Sequence, residues 1–281
     1  MGSVTKVLTG TLFGVMVEAG EIDPGAPVDE AMGETLPWGG RAPTLEELAT
    51  HRSGLPNTPR GLRWREARVA LGWSVGDPWA GVDAEAYGDL LARSARRARA
   101  GGRARYSSMG VGLLGDALAR AAGMDLDELL TTRVLAPLGM RDTGFDRPEA
   151  GPQAVVRGMN REGKTVPYLH DQMPAAGMLA STVGDLTCLL QASAGEGPAD
   201  VVSGIQRAQT PVTEFGGMQI GYCWLIADSK RGRVTFHHGG TWGSQAHVAV
   251  APERGRTVVL LSATYRDLDT LGGRLVEVDT D

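Results

Sequence analysis

The sequence predicts an α/β protein of the α+β type, in which helices come first and an antiparallel sheet closes the chain. Apolar residues recur at helical spacing over most of the first two thirds of the sequence. The last third changes to strand-like segments joined by short turns. With 281 residues, of which 42% are hydrophobic, the chain can bury a sizeable core as one large unit or two lobes.

The first helix is predicted to begin almost at the first residue, and Gly20 can end it. Its apolar positions are Val4, Val7, Leu8, Leu12, Phe13, Val15, Met16 and Val17. Because these side chains surround the helix nearly completely, we expect the helix to be buried.

The middle of the chain is predicted to be mainly helical. Thr44-Leu45-Glu46-Glu47 forms a capping box that opens a short helix, which Gly54 and Pro56 close. Residues 61–81 are rich in Gly, Trp and Arg without clear periodicity, which predicts a long surface excursion. Further helical patterns cover residues 83–97, 109–122 and 126–135.

The C-terminal third is predicted to form an antiparallel meander, because its strands are joined by hairpin-length turns. Thr182 is expected to cap the helix that comes before the sheet, with Asp185 in the first turn. The predicted strands are Gln219–Ala227, Arg233–His238, Gln245–Ala251 and Thr257–Ala263.

Ser3-Val4-Thr5-Lys6 places a hydroxyl and an amine one helical turn apart. A serine becomes a strong nucleophile when a neighbouring base takes its proton, and burial of Lys6 would favour the neutral amine that can do so. The pattern is loose and also arises by chance. However, the chain has only two other lysines, Lys164 and Lys230, which makes a chance match less common.

Two further segments carry chemistry. Tyr106-Ser107-Ser108 lies between two helical patterns, where the tyrosine is either a packed side chain or a general base whose phenolate is stabilised by cations. His237-His238-Gly239-Gly240 ends the second strand. No third ligand follows this histidine pair at a suitable spacing, so no zinc is expected. The glycines would let another backbone, such as that of a substrate, approach the strand edge.

These motifs resemble the three boxes of the serine β-lactamase and penicillin-binding-protein superfamily, in particular the class C-like branch of esterases, D-amino-acid peptidases and acyl transferases. Residues 3–6 are similar to its Ser-x-x-Lys box, residues 106–108 to its Tyr-x-Asn box, and residues 237–239 to the His-x-Gly version of Lys-Thr-Gly. The order is that of the family and the resemblance covers nearly the whole chain. Residues 50–56, 135–140 and 176–182 also resemble this branch and are interpreted as fold markers.

The resemblance implies a β-lactamase-like fold with the active site between two lobes. We expect one domain over residues 1–281, with an α/β lobe of about residues 1–43 and 176–281 and a mainly helical lobe of about residues 44–175.

The resemblance also implies a role for each matching residue. Ser3 would attack a carbonyl to form an acyl-enzyme, Lys6 and Tyr106 would share the proton transfers, and His237 would support the tyrosine and the substrate. The backbone amides of Ser3 and Gly240 are the expected oxyanion donors, each worth about 3 kcal/mol in serine hydrolases. Ser108 and Gly239 are expected beside the substrate. His238-Gly239-Gly240 fits His-x-Gly as well, but the first register aligns the family's Gly-Gly-Thr-x-Gly tail over residues 239–243.

Two departures from the family pattern narrow the expected function. Ser108 stands where the family usually has asparagine, and His237 replaces lysine. We therefore expect an esterase, peptidase or acyl transferase acting on a small-molecule ester, amide or peptide, without metal or cofactor, rather than a dedicated β-lactamase. The alternative is a catalytically silent member that binds peptides or acyl groups.

The start of the chain is unusual for this family, whose members have strands before the serine box. Without them, the last strand at residues 257–263 would have a bare edge. We therefore expect either that Met1 is an internal methionine or that the gene is truncated. No signal peptide precedes Ser3, so the chain as given is expected to be cytoplasmic; a truncated N-terminus would leave the location open.

Composition excludes several other functions. A net charge of −5 gives no basic surface for nucleic acid, and no apolar run is long enough for a membrane span. Cys188 and Cys223 are expected to pack as small apolar residues. The composition does not indicate an oligomeric state.

Two segments remain as weaker candidates. Residues 158–165 match the P-loop pattern, but no helical periodicity follows, so a glycine-containing turn is expected there. Residues 61–81 and 151–175 are long and irregular and are candidates for lining the cleft. Their aromatic and histidine side chains are interpreted as cleft residues or, by default, as surface packing: Trp64, Trp73, Tyr168 and His170.

Overall fold

The computed structural model confirms the α+β class and describes residues 1–71, 73–74, 76–145, 156–166, 172–229 and 231–277. The chain begins with a 3₁₀ turn at Gly2–Val4 that leads into α1 (Thr5–Glu18). The later helices are α2 (Val28–Met32), α3 (Leu45–Ala49), α4 (Arg63–Ala70), α5 (Ala84–Ala95), α6 (Ser108–Ala122), α7 (Leu126–Leu130), α8 (Pro174–Gly177), α9 (Val183–Ser193), α10 (Ala199–Ala208) and α11 (Leu268–Glu277). None of these described helices is both long and apolar enough to cross a membrane.

Helix α1 lies in the middle of the core, as its all-round apolar pattern predicted. It packs against α6, α8 and α10. Its contact with α10 is close, since a Cβ added at Gly14 would lie 2.1 Å from the carbonyl oxygen of Gly204. Lys6 is completely buried in this helix.

The helix boundaries follow the capping signals of the sequence. Thr44 and Glu47 form the predicted capping box at α3, and Thr182 accepts a hydrogen bond from the Asp185 N–H at α9. Gly123, at a φ of 63°, ends α6. A π-helical turn, Thr131–Leu135, continues α7.

The structure differs from the predictions for the helical regions in two places. Residues 61–81 are not a purely irregular excursion, because α4 lies within them. Four of its eight residues are charged, so only a few apolar positions mark its buried side. The terminal helix α11 was not predicted either; it packs on the sheet through Leu268 and Val276.

The sheet is the expected antiparallel meander, with more strands than expected. A small ribbon pairs β1 (Gly144–Phe145) with β2 (Leu179–Ala180). The main sheet has the order β3-β4-β5-β6-β7-β8. Its strands are β3 (Thr213–Phe215), β4 (Met218–Ile220), β5 (Leu225–Ser229), β6 (Gly232–Gly240), β7 (Gln245–Ala251) and β8 (Arg256–Ser262).

The predicted strand Gln219–Ala227 is interrupted between β4 and β5. At the interruption, Tyr222 N–H donates to the Ala208 carbonyl and Cys223 N–H donates to the Ala49 carbonyl. Cys223 has a φ of 61°. The residues between β4 and β5 therefore hydrogen-bond to the ends of α10 and α3. The alternation of apolar and polar residues in the sequence does not indicate these bonds. Cys223 is buried as expected, and Cys188 packs partly against the same core.

Strand β8 is the outer strand of the main sheet among the described residues. Its neighbour β7 pairs with it over its whole length. Helices α9 and α11 contact it, and Met159 N–H donates to the carbonyl of Ala263 just beyond its end.

Candidate active site

Ser3 and Lys6 lie at the junction of the 3₁₀ turn and α1. Lys6 Nζ donates to Ser3 Oγ at 3.0 Å and to the carbonyl oxygen of Ala176 on α8. Ser3 is partly exposed to a cleft, whereas Lys6 is fully buried behind it. The second hydrogen bond fixes the amine beside the hydroxyl. The pair therefore has the contact that serine activation requires.

Close backbone contact between β6 and the first turn explains two glycines of the site. A Cβ added at Gly239 would lie 2.3 Å from the Met1 carbonyl oxygen and 2.8 Å from the Ser3 nitrogen. Gly2 has a φ of 58°, and its added Cβ would lie 2.5 Å from the Gly240 carbonyl oxygen. The backbone that approaches Gly239 is thus that of the chain's own first turn.

Tyr106 lies between the serine pair and the sheet. Lys6 Nζ is 5.1 Å from the centre of its ring, and the ring centre of His237 is 6.3 Å away. A third ring, that of His51, packs against Tyr106 at 4.6 Å. Lys6, Tyr106 and His237, one residue from each predicted box, thus lie close together, although their segments are far apart in the sequence.

His237 and His238 face opposite sides of the sheet, as consecutive strand residues must. His237 is buried toward Tyr106, whereas His238 lies 3.6 Å from Asp269 of α11. His237 Nδ1 is 2.6 Å from the carbonyl oxygen of His238, so Nδ1 carries the proton and Nε2 is an acceptor. Burial and then the charge of Lys6 hold the pKa of His237 well below its usual range. The ring that faces the site is therefore neutral.

Ser108 is hydrogen-bonded to a second residue of the cleft wall. Its Oγ donates to Asn57 Oδ1 at 2.8 Å, and its N–H donates to the same oxygen at 3.1 Å. These two bonds orient the side-chain amide of Asn57, which also lines the cleft. Sequence analysis did not identify Asn57. Its only signal was its place directly after Pro56, at the end of a segment interpreted as a fold marker.

Glu66 on α4 is a second residue that sequence analysis missed. It lines the same cleft as Ser3, Tyr106 and Ser108. The other described lining residues are Gly2, Asn57, Thr58, Met173, Ala176, Gly177, Gly240, Thr241 and Trp242. Glu66 is thus the only carboxylate among the described residues around the cleft, and none of them is a lysine, arginine or histidine.

Two of the three segments interpreted as fold markers, residues 50–56 and 176–182, also contribute to the site. His51 has a φ of 60° and is 1% exposed, and no described residue makes a hydrogen bond to either ring nitrogen. Ala176 accepts the hydrogen bond from Lys6. These segments therefore hold groups of the site in place as well as marking the fold.

The two irregular segments that were candidates for lining the cleft each contribute one described residue to it, Glu66 and Met173. The other weaker candidates are not among its described lining residues. Residues 158–165 form a turn closed by an Asn160 N–H bond to the Lys164 carbonyl, and Glu162 pairs with Lys164 at 3.5 Å. No helix begins before the described residues of this segment end at Val166. The turn expected there is confirmed. Trp64 and Trp73 are exposed and pack on each other, while Tyr168 and His170 lie outside the described residues.

The fold and the site together define a β-lactamase-fold protein with a serine at the centre of its cleft. The chain belongs to the Beta-lactamase family, whose sequence model matches residues 1–275. This agrees with the resemblance on which the expectations were based.

Comparisons with individual proteins agree with this assignment. The chain is 26% identical to the D-alanyl-D-alanine-carboxypeptidase/endopeptidase AmpH of Escherichia coli K12, over 90% of this chain and 68% of that protein. The octameric penicillin-binding protein homologue from Pyrococcus abyssi has a TM-score of 0.79 and 25% identity, over 94% of this chain and 61% of that one. A class C β-lactamase has a TM-score of 0.81 at 16% identity, which shows a shared fold.

Proposed function

We propose that the protein is a serine hydrolase or acyl transferase that forms an acyl-enzyme on Ser3. The contact between Lys6 Nζ and Ser3 Oγ is the observation that carries this proposal. A buried amine that is hydrogen-bonded to a hydroxyl at the cleft has little other structural use, because burying an amine is costly. Family membership and the carboxypeptidase and β-lactamase relatives support the same class of reaction.

The acylation step follows from the positions of these groups. Ser3 Oγ forms a bond to the substrate carbonyl carbon while its proton passes to Lys6 or Tyr106. The carbonyl oxygen then carries negative charge, for which the backbone N–H groups of Ser3 and Gly240 are the proposed donors. Collapse of the intermediate breaks the bond to the leaving group, which takes up the proton. Water or another acceptor then releases the acyl group from Ser3.

His237 would act in this scheme as a neutral group. Because its Nδ1 proton is donated to a backbone carbonyl, Nε2 offers a lone pair and no charge. Lys6 is then the cation closest to Tyr106 in the described site. Lys6 and Tyr106 are therefore the two groups proposed to handle the proton of Ser3.

We further propose an esterase-like or peptidase-like activity rather than that of a dedicated β-lactamase. The amide that lines the cleft beside Ser108 comes from Asn57, on a separate loop. Where a dedicated lactamase of this family has lysine on the strand, this chain has the neutral His237. Rapid hydrolysis of the cephalosporin nitrocefin would contradict this part of the proposal.

The proposal is tested by covalent labelling. We expect a fluorophosphonate or penicillin probe to add one adduct to Ser3, detected by mass spectrometry of the intact protein and its peptides. Short p-nitrophenyl esters should be hydrolysed. Ser3→Ala should lose both signals, and Lys6→Met, which keeps the side-chain length and removes the amine, should slow labelling about a hundredfold or more.

A catalytically silent binding protein is the alternative. It predicts a folded protein that forms no adduct with either probe and hydrolyses no ester. Retention of ester hydrolysis in Ser3→Ala would also overturn the proposal, since the nucleophile would then lie elsewhere.

A further inference from the structure

Glu66 presents a carboxylate to the cleft on the side formed by the helical lobe. It is held there by two donors, because Thr58 Oγ1 donates to Oε2 at 2.5 Å and Trp79 Nε1 donates to Oε1 at 3.1 Å. Trp79 and Thr58 are themselves 3% and 7% exposed. The carboxylate is therefore fixed in position rather than free to turn into solvent. Each oxygen keeps a lone pair for a further donor.

No cation compensates Glu66 in the described structure. Burial raises the pKa of Glu66, and only the two hydrogen bonds from Thr58 and Trp79 oppose that effect. Carboxylates that are partly removed from water are usually paired with a cation, because an unpaired buried charge is costly. The cleft thus has an unpaired negative group and, among the described residues that line it, no positive one.

We propose that Glu66 binds the free amino group of an amino-acyl substrate, and that preferred substrates are esters, amides or short peptides whose α-amino group lies next to the reacting carbonyl. An ammonium group would provide the missing charge and donors for the free lone pairs of Glu66. A carboxylate at the same place would be repelled. This inference rests on the proposed function, because the acyl group must reach Ser3.

Two acyl groups of nearly equal size test the proposal. Alanine p-nitroanilide, as the D and L enantiomers, carries the amine, whereas propionic acid p-nitroanilide lacks it. For the wild-type protein we expect kcat/KM to be at least about tenfold higher for one alanine enantiomer than for the propionyl substrate, since a hydrogen bond to a charged group contributes about 1.5–3 kcal/mol. Glu66→Gln should lower kcat/KM for that alanine enantiomer by at least about tenfold more than for the propionyl substrate, so that the preference is lost.

Two variants separate recognition from a purely structural role. Glu66→Asp keeps the charge and should retain part of the preference for the amine. Glu85→Gln removes one negative charge from an exposed position on α5 in the same lobe and should leave both substrates unaffected. If Glu66→Gln lowers kcat/KM for both substrates equally, Glu66 only supports Thr58 and Trp79, and the inference is wrong.

The outcomes also distinguish this inference from the proposed function. Labelling of Ser3 and turnover of p-nitrophenyl propionate without any preference for alanine would overturn the role of Glu66 alone. Absence of both labelling and ester turnover would overturn the two proposals together.

Discussion

The charge near Ser3 depends on the amine of Lys6 and on the imidazole rings of His51 and His237, which are held neutral. His51 and His237 both lie near Lys6, and burial and the charge of Lys6 lower the pKa of each ring, that of His51 to about 3. Protonation of either ring would place two cations side by side in the core. The site is therefore expected to tolerate alkaline conditions better than acidic ones.

The pKa of His51 predicts how the unfolding free energy changes with pH. Its pKa lies near 3 in the folded protein and near 6.5 in the unfolded chain, so the unfolded state binds more protons between these values. The contribution of His51 to stability is complete above pH 6.5 and is lost as the pH falls toward 3. Between pH 7 and pH 5 this loss amounts to about 2 kcal/mol.

We expect His51→Asn to reduce the difference in unfolding free energy between pH 7 and pH 5 by about 2 kcal/mol. Asparagine suits this position because it tolerates the φ of 60° better than most residues. Urea unfolding of both proteins at the two pH values provides the measurement. An identical pH dependence in wild type and variant would mean that His51 binds protons equally in the folded and unfolded states.

At this scale, the sequence indicated candidate residues that stand in recognisable motifs and did not indicate those that stand outside them. Ser3, Lys6, Tyr106 and His237 stood in recognisable patterns. Asn57 reaches Ser108 across 51 positions of sequence, and no local pattern connects the two. The position of Glu66 depends equally on the folding of α4 against the cleft.

Among the secondary-structure elements, α11 shows how a short helix is fixed to a sheet. A Cβ added at Gly272 would lie 2.2 Å from Cδ2 of the His247 ring, which is 3% exposed. Asp269, one turn earlier, lies 3.4 Å from Nδ1 of the same ring. The helix can approach β7 this closely only because position 272 has no side chain.

Two adjacent substitutions in α11 test this contact. Gly272→Ala should destabilise the protein by about 1–3 kcal/mol, because the added methyl displaces a buried ring. Gly273→Ala should be neutral or stabilising by up to about 1 kcal/mol, because nothing lies within 4 Å of its Cβ and alanine favours helix. Thermal and urea unfolding compare them directly. If both variants have the same stability, close packing at Gly272 does not hold the helix.

The ends of helices and strands were predicted where a local sequence signal sets them. They were missed where tertiary contacts set them. The capping box at Thr44 and the stop at Gly123 act within a few residues, so the sequence contains them in full. The interruption between β4 and β5 depends on hydrogen bonds to Ala49 and Ala208, which lie far away in the sequence. A continuous apolar segment therefore predicted one strand where there are two.

On the scale of the whole molecule, the cleft lies between segments from both lobes. Ser3 and Gly240 come from the α/β lobe, whereas Asn57, Glu66 and Ser108 come from the helical lobe. The division into lobes is a prediction from the family resemblance, which provides the long-range pairing that periodicity lacks. Which side chains line the cleft depends on tertiary packing, for which the sequence has no local signal.

One apolar cluster joins the two lobes, and this predicts how the protein unfolds. The cluster includes Leu8 of α1, Leu114 of α6 and Val248 of β7, all with no exposed surface. Helix α6 also contacts α1, α2, α3, α7 and α8. Since this one cluster contains most of the buried apolar residues of both predicted lobes, the described part of the chain is expected to unfold in one cooperative step.

Calorimetry of the wild type and of Leu114→Ala tests this expectation. The calorimetric and van't Hoff enthalpies should agree for the wild type. Removing the buried side chain should cost about 2–5 kcal/mol and move the whole transition to lower temperature without splitting it. Two separate transitions in the variant would mean that the helical lobe melts alone. In that case Tyr106, Asn57 and Glu66 would leave the cleft together, so ester hydrolysis and any preference for an amino-acyl substrate would be lost in the same transition.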